Sequence, residues 1–254
     1  MTTPAPENAP TNAPVNTKPL AGVLLVALAV LLFAVTDVLA KYLIARHPLP
    51  MVVGARYCVS LILILVFFWP HYKSRLWKTQ RTKLVIVRGF VLTGASLTMV
   101  MALRVMPVGE ATAILYLSPF AVMLLSIPLL GESVSKASWI GAFVGFAGVL
   151  LILRPGSGLD PQGVIFALLN AAFSTAYLMM TRGLAKTETA VAMLFYVTLV
   201  GATFFGLSAI PSLSGPLPDI IDMSLMVLLG ATATTGIFSS PLPIVKRHPR
   251  CLRR

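Results

Sequence analysis

The chain has 254 residues, of which 57% are hydrophobic and only 11% charged, with a formal net charge of +12. So few charges, gathered between long apolar stretches, exclude an ordinary soluble domain, because ionised groups are expensive in hydrocarbon. The excess of Lys and Arg does not mark a nucleic-acid face either, since it sits in the short connections between apolar runs, where membrane orientation accounts for it.

Residues 1–18 (MTTPAPENAPTNAPVNTK) are rich in Pro, Ala, Asn and Thr without periodicity. They read as a disordered cytoplasmic leader rather than a signal peptide. Beyond them lie about eight apolar runs, each near the ~20 residues that a helix needs to cross a bilayer core. They fall at roughly 19–44, 50–70, 84–105, 108–130, 137–154, 163–183, 189–210 and 221–240, followed by a basic tail at 241–254. A spanning segment must satisfy its own backbone, so each run is predicted to be a helix. The expected fold class is all-α, a polytopic membrane helix bundle. Spans three and four meet at a tight turn near Met106 and Pro107.

The connection after span two carries Lys73, Arg75, Lys78, Arg81 and Lys83, with Arg88 just inside the next helix. The positive-inside rule makes it cytoplasmic, and the N-terminus with it. Lys136, Arg182 and Lys186 then fall on cytoplasmic connections, and Asp219 and Asp222 on an outer one. The expected location is the plasma (inner) membrane, crossed several times.

Several polar residues lie within or beside the spans. Asp37 and Lys41 are four apart, on one face of span one. Arg56 lies in span two, Arg104 ends span three and Glu110 opens span four. The topology puts all five in the outer half. They form either a charged vestibule on a substrate path, or snorkelling bases with a structural Asp37–Lys41 or Asp37–Arg56 pair. A carboxylate such as Asp37 is costly in a membrane and often relays protons or binds cations. Pro119, after Ser118, sits mid-span, where it removes a backbone hydrogen bond and frees a carbonyl near the midplane, for a substrate or merely for a packing kink. Asn170 and Tyr177, seven apart, roughly share a face and are either cavity liners or interhelical hydrogen-bonding groups. Gly141, Gly145 and Gly148 form one stripe, which predicts close helix packing.

Cys58 lies in an apolar run and is expected to be a small buried thiol, while Cys251 is far from it in sequence. His47, His71 and His248 fall in connections or the tail. No metal site, catalytic residue or cofactor is expected, and the chain is not expected to be an enzyme. The expected partners are the lipid bilayer and a small-molecule substrate, with a homodimer as a further expectation and nucleic acid excluded.

Aligning Gly22 with Gly163, an offset of 141 residues, lays GVLLVALAVLLFAVTDVLAKYL over GVIFALLNAAFSTAYLMMTRGL, with Lys41 on Arg182 and Leu43 on Leu184. The offset spans an odd number of helices, so the second copy is inverted in the membrane. Inverted repeats are a common architecture of secondary transporters, with the substrate site between the halves.

The stretch from Arg88 to Gly156 holds Ala102-Leu103 before Pro107, Glu110-Ala111-Thr112-Ala113, Ser118-Pro119, Gly131-Glu132 and a Gly-rich helix closing on Arg154-Pro155-Gly156. Taken together this string resembles the EamA family of the drug/metabolite transporter superfamily, over residues 20 to about 236. Glu132 matches a family position, with a helix-boundary role as the simpler reading. The resemblance implies ten helices in two inverted five-helix repeats around a central cavity. On this chain the first repeat is expected at 19–154 and a partial second, of three helices, at 163–240. It also implies transport of small organic metabolites such as amino acids, amines or drug-like solutes. The alternatives are a membrane structural or assembly protein that moves nothing, and an inactive fragment. Two more apolar helices are expected after residue 240. Back-translated one base out of register, IFSSPLPIVKRHPRCLRR permits a reading like the family's continuation. The expectation is a C-terminal truncation by a frameshift after Gly236, with a genuine basic tail as the alternative.

Overall fold

A computed structural model describes residues 19–73, 76–130, 135–153, 160–214 and 218–239. The leader at 1–18, the tail at 241–254, Arg75, Gly131-Glu132 and Arg154-Pro155-Gly156 lie outside the described residues. The helices are α1 (Pro19–Ile44), α2 (Leu49–Tyr72), α3 (Thr82–Val105), α4 (Val108–Leu115), α5 (Leu117–Leu130), α6 (Lys136–Leu153), α7 (Pro161–Leu184), α8 (Ala190–Ala209) and α9 (Ile220–Ser239). These match the eight predicted runs within a few residues, with the fourth split into α4 and α5. Among the described residues six segments are long and apolar enough to cross a membrane, Val108–Pro128 across α4 and α5 among them. The apolar stretches described in α6 and α9 are shorter, Ala137–Gly148 and Ile220–Thr235. No strand occurs among the described residues.

The bundle is built on a regular pairing. Helix α3 packs on α7, α1 on α9 and α2 on α8, while α3 also meets α8 and α2 also meets α9. Exchanging α1 with α7, α2 with α8 and α3 with α9 leaves this list unchanged. The close contacts repeat the pattern. A methyl group at Gly89 would stand 3.0 Å from the Val200 side chain, and one at Gly230 would stand 2.5 Å from Val59 Cβ. The Thr93 hydroxyl donates to Gly89 O at 2.9 Å, and the Thr234 hydroxyl to Gly230 O at 2.8 Å. Each of these residues lies 141 positions from its counterpart. With lipid on the outside there is little hydrophobic drive between helices, so close backbone approach at glycine is what gives the van der Waals contact.

The glycine stripe on α6 does not serve this purpose. A methyl group at Gly141, Gly145 or Gly148 would meet nothing within 4 Å among the described residues. The close approaches lie at Gly54, Gly89, Gly94, Gly163, Gly201 and Gly230 instead. Spacing shows where a backbone could approach, not whether a neighbour stands there. Helix α6 is held to α5 largely by aromatic rings, Phe120 stacking on Phe146 and meeting Trp139 edge-on. Cys58 is also corrected: it is exposed on the outward side of α2, not buried. An apolar run cannot distinguish a core-facing thiol from a lipid-facing one.

Candidate functional site

Polar side chains collect between α2, α3 and α7. On α3, Ser96 accepts a hydrogen bond from Arg56 Nη2 at 2.8 Å and shares another with the Tyr57 hydroxyl at 2.7 Å. The Arg56 guanidinium lies 4.8 Å from the centre of the Tyr57 ring, and that ring stacks on Phe205 of α8. Asp37 of α1 is within electrostatic reach of Arg56, and Tyr57 within reach of Tyr177. Two turns nearer the N-terminal end of α3, Arg88 is buried at 3% exposure. Its Nε donates to Thr181 Oγ1 at 2.8 Å, Nη1 to Met193 O at 3.1 Å and Nη2 to the Tyr177 hydroxyl at 2.7 Å. Two polar groups therefore stand along α3, Arg56 with Ser96 and Tyr57, and Arg88 with Tyr177 and Thr181, and together they form a polar track beside other buried hydroxyls and Asn170.

Both ends of this track are tied. At the end where α3 begins, the buried Glu188 carboxylate accepts from Gln80 N–H at 2.9 and 3.1 Å and from Arg81 N–H at 2.7 Å. Arg81 is the cap residue of α3, so Glu188, from the α7–α8 connection, satisfies backbone donors that a helix start leaves open. At the opposite end His47 Nε2 lies 2.7 Å from Asp222 Oδ2, and Arg46 Nη1 lies 3.8 Å from Oδ1. Asp222 is buried in the first turn of α9. The 141-residue offset lays His47 on Glu188 and Arg81 on Asp222. The two ties thus occupy equivalent positions at opposite ends.

The sequence candidates divide. Arg56 and Tyr177 lie on the polar track, with Asp37 beside Arg56. Lys41 does not form an ion pair with Asp37: its Nζ donates to Met106 O at 2.6 Å. Among the described residues Asp37 forms no ion pair with Arg56 either. Four residues along a helix bring Lys41 onto the face of Asp37, but the open carbonyls at the end of α3 take its long side chain. Glu110, in the first turn of α4, holds a buried Oε2 with no hydrogen-bond partner. Asn170 Nδ2 donates to Ala95 O of α3 at 2.7 Å, one of the two alternatives for that residue.

The carbonyl freed by Pro119 is not left for a ligand. The helix breaks at Tyr116, and Ser118 Oγ turns back to donate to Leu115 O at 2.7 Å, sharing its proton with Ala171 O of α7 at 3.1 Å. Leu115 O is the acceptor that the missing Pro119 N–H would have used. The adjacent hydroxyl replaces it, and Pro119 falls in the first turn of α5, where its missing donor is tolerated. Ser118→Ala is expected to lower stability by about 1–2 kcal/mol, read as the unfolding midpoint in detergent, by leaving that carbonyl open. An unchanged midpoint would show that Leu115 O needs no partner.

Tyr57, Ser96, Thr181 and Glu188 were not among the sequence candidates. Hydroxyl groups are frequent in membrane helices, and nothing in their spacing marks these. Glu188 was open to detection: extending the repeat alignment beyond the helices lays it on His47.

Known proteins place this arrangement. The chain is 28% identical to an S-adenosylmethionine uptake transporter of Rickettsia bellii, over 80% of this chain and 68% of that protein. It is 26% identical to a riboflavin transporter of Brucella anthropi, over 82% and 75%. It is 27% identical to the pseudopaline exporter CntI of Pseudomonas aeruginosa, over 71% and 63%. A solved crystal structure superposes with a TM-score of 0.67 at 23% identity, covering 87% of this chain and 78% of that one, a likeness of fold. The EamA-like transporter family matches residues 20–154, more than half of the sequence, so this multi-pass membrane protein belongs to the EamA-like transporter family.

Proposed function

We propose that the chain is a secondary carrier of small organic metabolites, with its path between α1–α3 and α7–α9. The observation that carries the reading is the buried polar track from Arg56 to Arg88, tied shut at both ends by equivalent contacts. A carrier must close each end in turn, and His47–Asp222 and Glu188 with the start of α3 stand where two such closures belong. The helix pairing, and the Gly89/Gly230 and Thr93/Thr234 correspondences, support two inverted halves, the first at 19–154 and the second beginning at 163. Lys41 and Gly163 both reach the Met106 end of α3, so α1 and α7 run in opposite senses. The Lys- and Arg-rich connection between α2 and α3 supports a cytoplasmic N-terminus, with the plasma membrane as location. The relatives include both uptake and export proteins, so the direction is not inherited from them.

Asp37 is the carboxylate proposed to act on this path, through its proximity to Arg56. Asp37→Asn, in the full chain reconstituted into liposomes, is expected to lower flux at least about tenfold while leaving insertion unchanged. Wild-type flux in that variant would remove Asp37 from the mechanism. No flux in the wild-type chain, with any solute its relatives carry, would sink the carrier reading.

A further inference from the structure

We infer that Arg88 is the specificity-determining residue of this carrier, and that the solute it recognises bears a carboxylate or a comparable planar anion. The inference rests on the carrier reading above and names the substrate class of the same path. Arg88 lies ~9 Å along α3 from Thr82, at the rise of an ideal helix. It is buried, yet every group that accepts from it is neutral: the hydroxyls of Thr181 and Tyr177 and the carbonyl of Met193.

No carboxylate of the described residues lies within ion-pair distance of it. Glu188, at the same end of the bundle, is taken up by the Gln80 and Arg81 amides. Asp222 and Asp160 stand toward the opposite end, Asp222 held by His47 and Arg46 and Asp160 capping α7 through Gln162 N–H. No ion pair among the described residues therefore offsets the guanidinium charge, in a bundle where an uncompensated ion is strongly disfavoured.

The surroundings hold this cation ready. Thr181 Oγ1 donates its own proton to Tyr177 O at 2.6 Å, which points a lone pair at Arg88 Nε. The Tyr177 ring lies 4.3 Å from the guanidinium carbon, so the plane is oriented from one face. With one hydrogen bond on each terminal nitrogen, each keeps a second N–H in the guanidinium plane. A guanidinium can offer paired N–H donors to both oxygens of a carboxylate, which an amide or an amine cannot match. Tyr177 is a neutral partner that an incoming anion can displace from Nη2.

The test uses the full chain in liposomes and a mixture of matched solutes: L-amino acids, their C-terminal amides, and small dicarboxylates, with uptake read by mass spectrometry. Uptake is expected for carboxylate-bearing members and not for the amides. Arg88→Gln is expected to lower that uptake at least about tenfold, and Arg88→Lys, which keeps the charge without the fork, to retain an intermediate rate. Insertion and melting temperature of each variant are measured alongside. A merely structural arginine would change all solutes in proportion and leave the acid-to-amide ratio as it was. Equal uptake of acids and amides, or wild-type carboxylate uptake in Arg88→Gln, overturns the inference. If nothing is transported, equilibrium dialysis of the same mixture against the purified chain separates the two readings. Retention of carboxylates that depends on Arg88 upholds the site while the carrier reading fails, and no retention overturns the site as well.

Discussion

Glu188→Ala is expected to destabilise the bundle by about 2–4 kcal/mol, because it strips a carboxylate from three hydrogen bonds and leaves two backbone donors without a partner. Gln80 and Arg81 sit at the start of α3, where amides point out of the helix with no carbonyl ahead of them. The carboxylate comes from the α7–α8 connection, so the change also unties α3 from that connection. Glu188→Gln keeps one acceptor oxygen and is expected to lose roughly half as much. Denaturant titration in detergent gives the stability, and hydrogen exchange at the Gln80 and Arg81 amides gives the local effect. Exchange at those two amides should rise in both variants and most in Glu188→Ala. Unchanged exchange would mean that the contact closes nothing.

The second large effect is expected at Gly201. A methyl group there would overlap the Tyr57 ring, standing 2.5 Å from Cε1 and 2.7 Å from Cγ. The ring cannot easily turn aside, since its hydroxyl is bonded to Ser96 and its face stacks on Phe205. Gly201→Ala is therefore expected to cost about 1–3 kcal/mol by overpacking, and Gly201→Leu more. Tyr57→Ala removes the obstructing atoms, so the double variant Tyr57→Ala/Gly201→Ala should be more stable than the sum of the two single losses predicts. Additive losses in the unfolding midpoints would show that the two residues do not meet.

Much of the architecture was legible beforehand, for a simple reason. In a bilayer the composition of a segment decides whether it spans, and the backbone then has to be helical. Run lengths therefore located the helices within a few residues, and the break near Pro119 followed from a proline in mid-span. The 141-residue offset read from the sequence also pairs Gly89 with Gly230 and Thr93 with Thr234, residues that make matching contacts. The site was less legible. Arg56 and Tyr177 stood out as polar residues inside apolar runs, but Ser96 and Thr181 differ in no visible way from hydroxyls such as Thr203, which donates back to Leu199 O one turn earlier in its own helix.

Some expectations failed because they concern partners rather than periodicity. A Lys41–Asp37 pair was one of the alternatives for Lys41, and its Nζ instead bonds the Met106 carbonyl at the end of α3. The α6 glycines were expected to admit a neighbour and meet none. Cys58 was expected inside and faces outward. Helical spacing gives each residue an angle around its own axis, but says nothing of which helix stands at that angle.

The sequence by itself determined that the chain crosses a membrane several times, where most helices lie to within a few residues, and which charges lie inside a span. These are local consequences of transfer free energy and backbone hydrogen bonding. Only the tertiary structure decided that Arg88 is buried among neutral acceptors, that Glu188 and His47 close equivalent ends, and that Ser118 rather than a ligand takes the carbonyl freed by Pro119. Those outcomes depend on contacts between residues up to 175 positions apart, and the side chain that arrives there is set by how the helices pack.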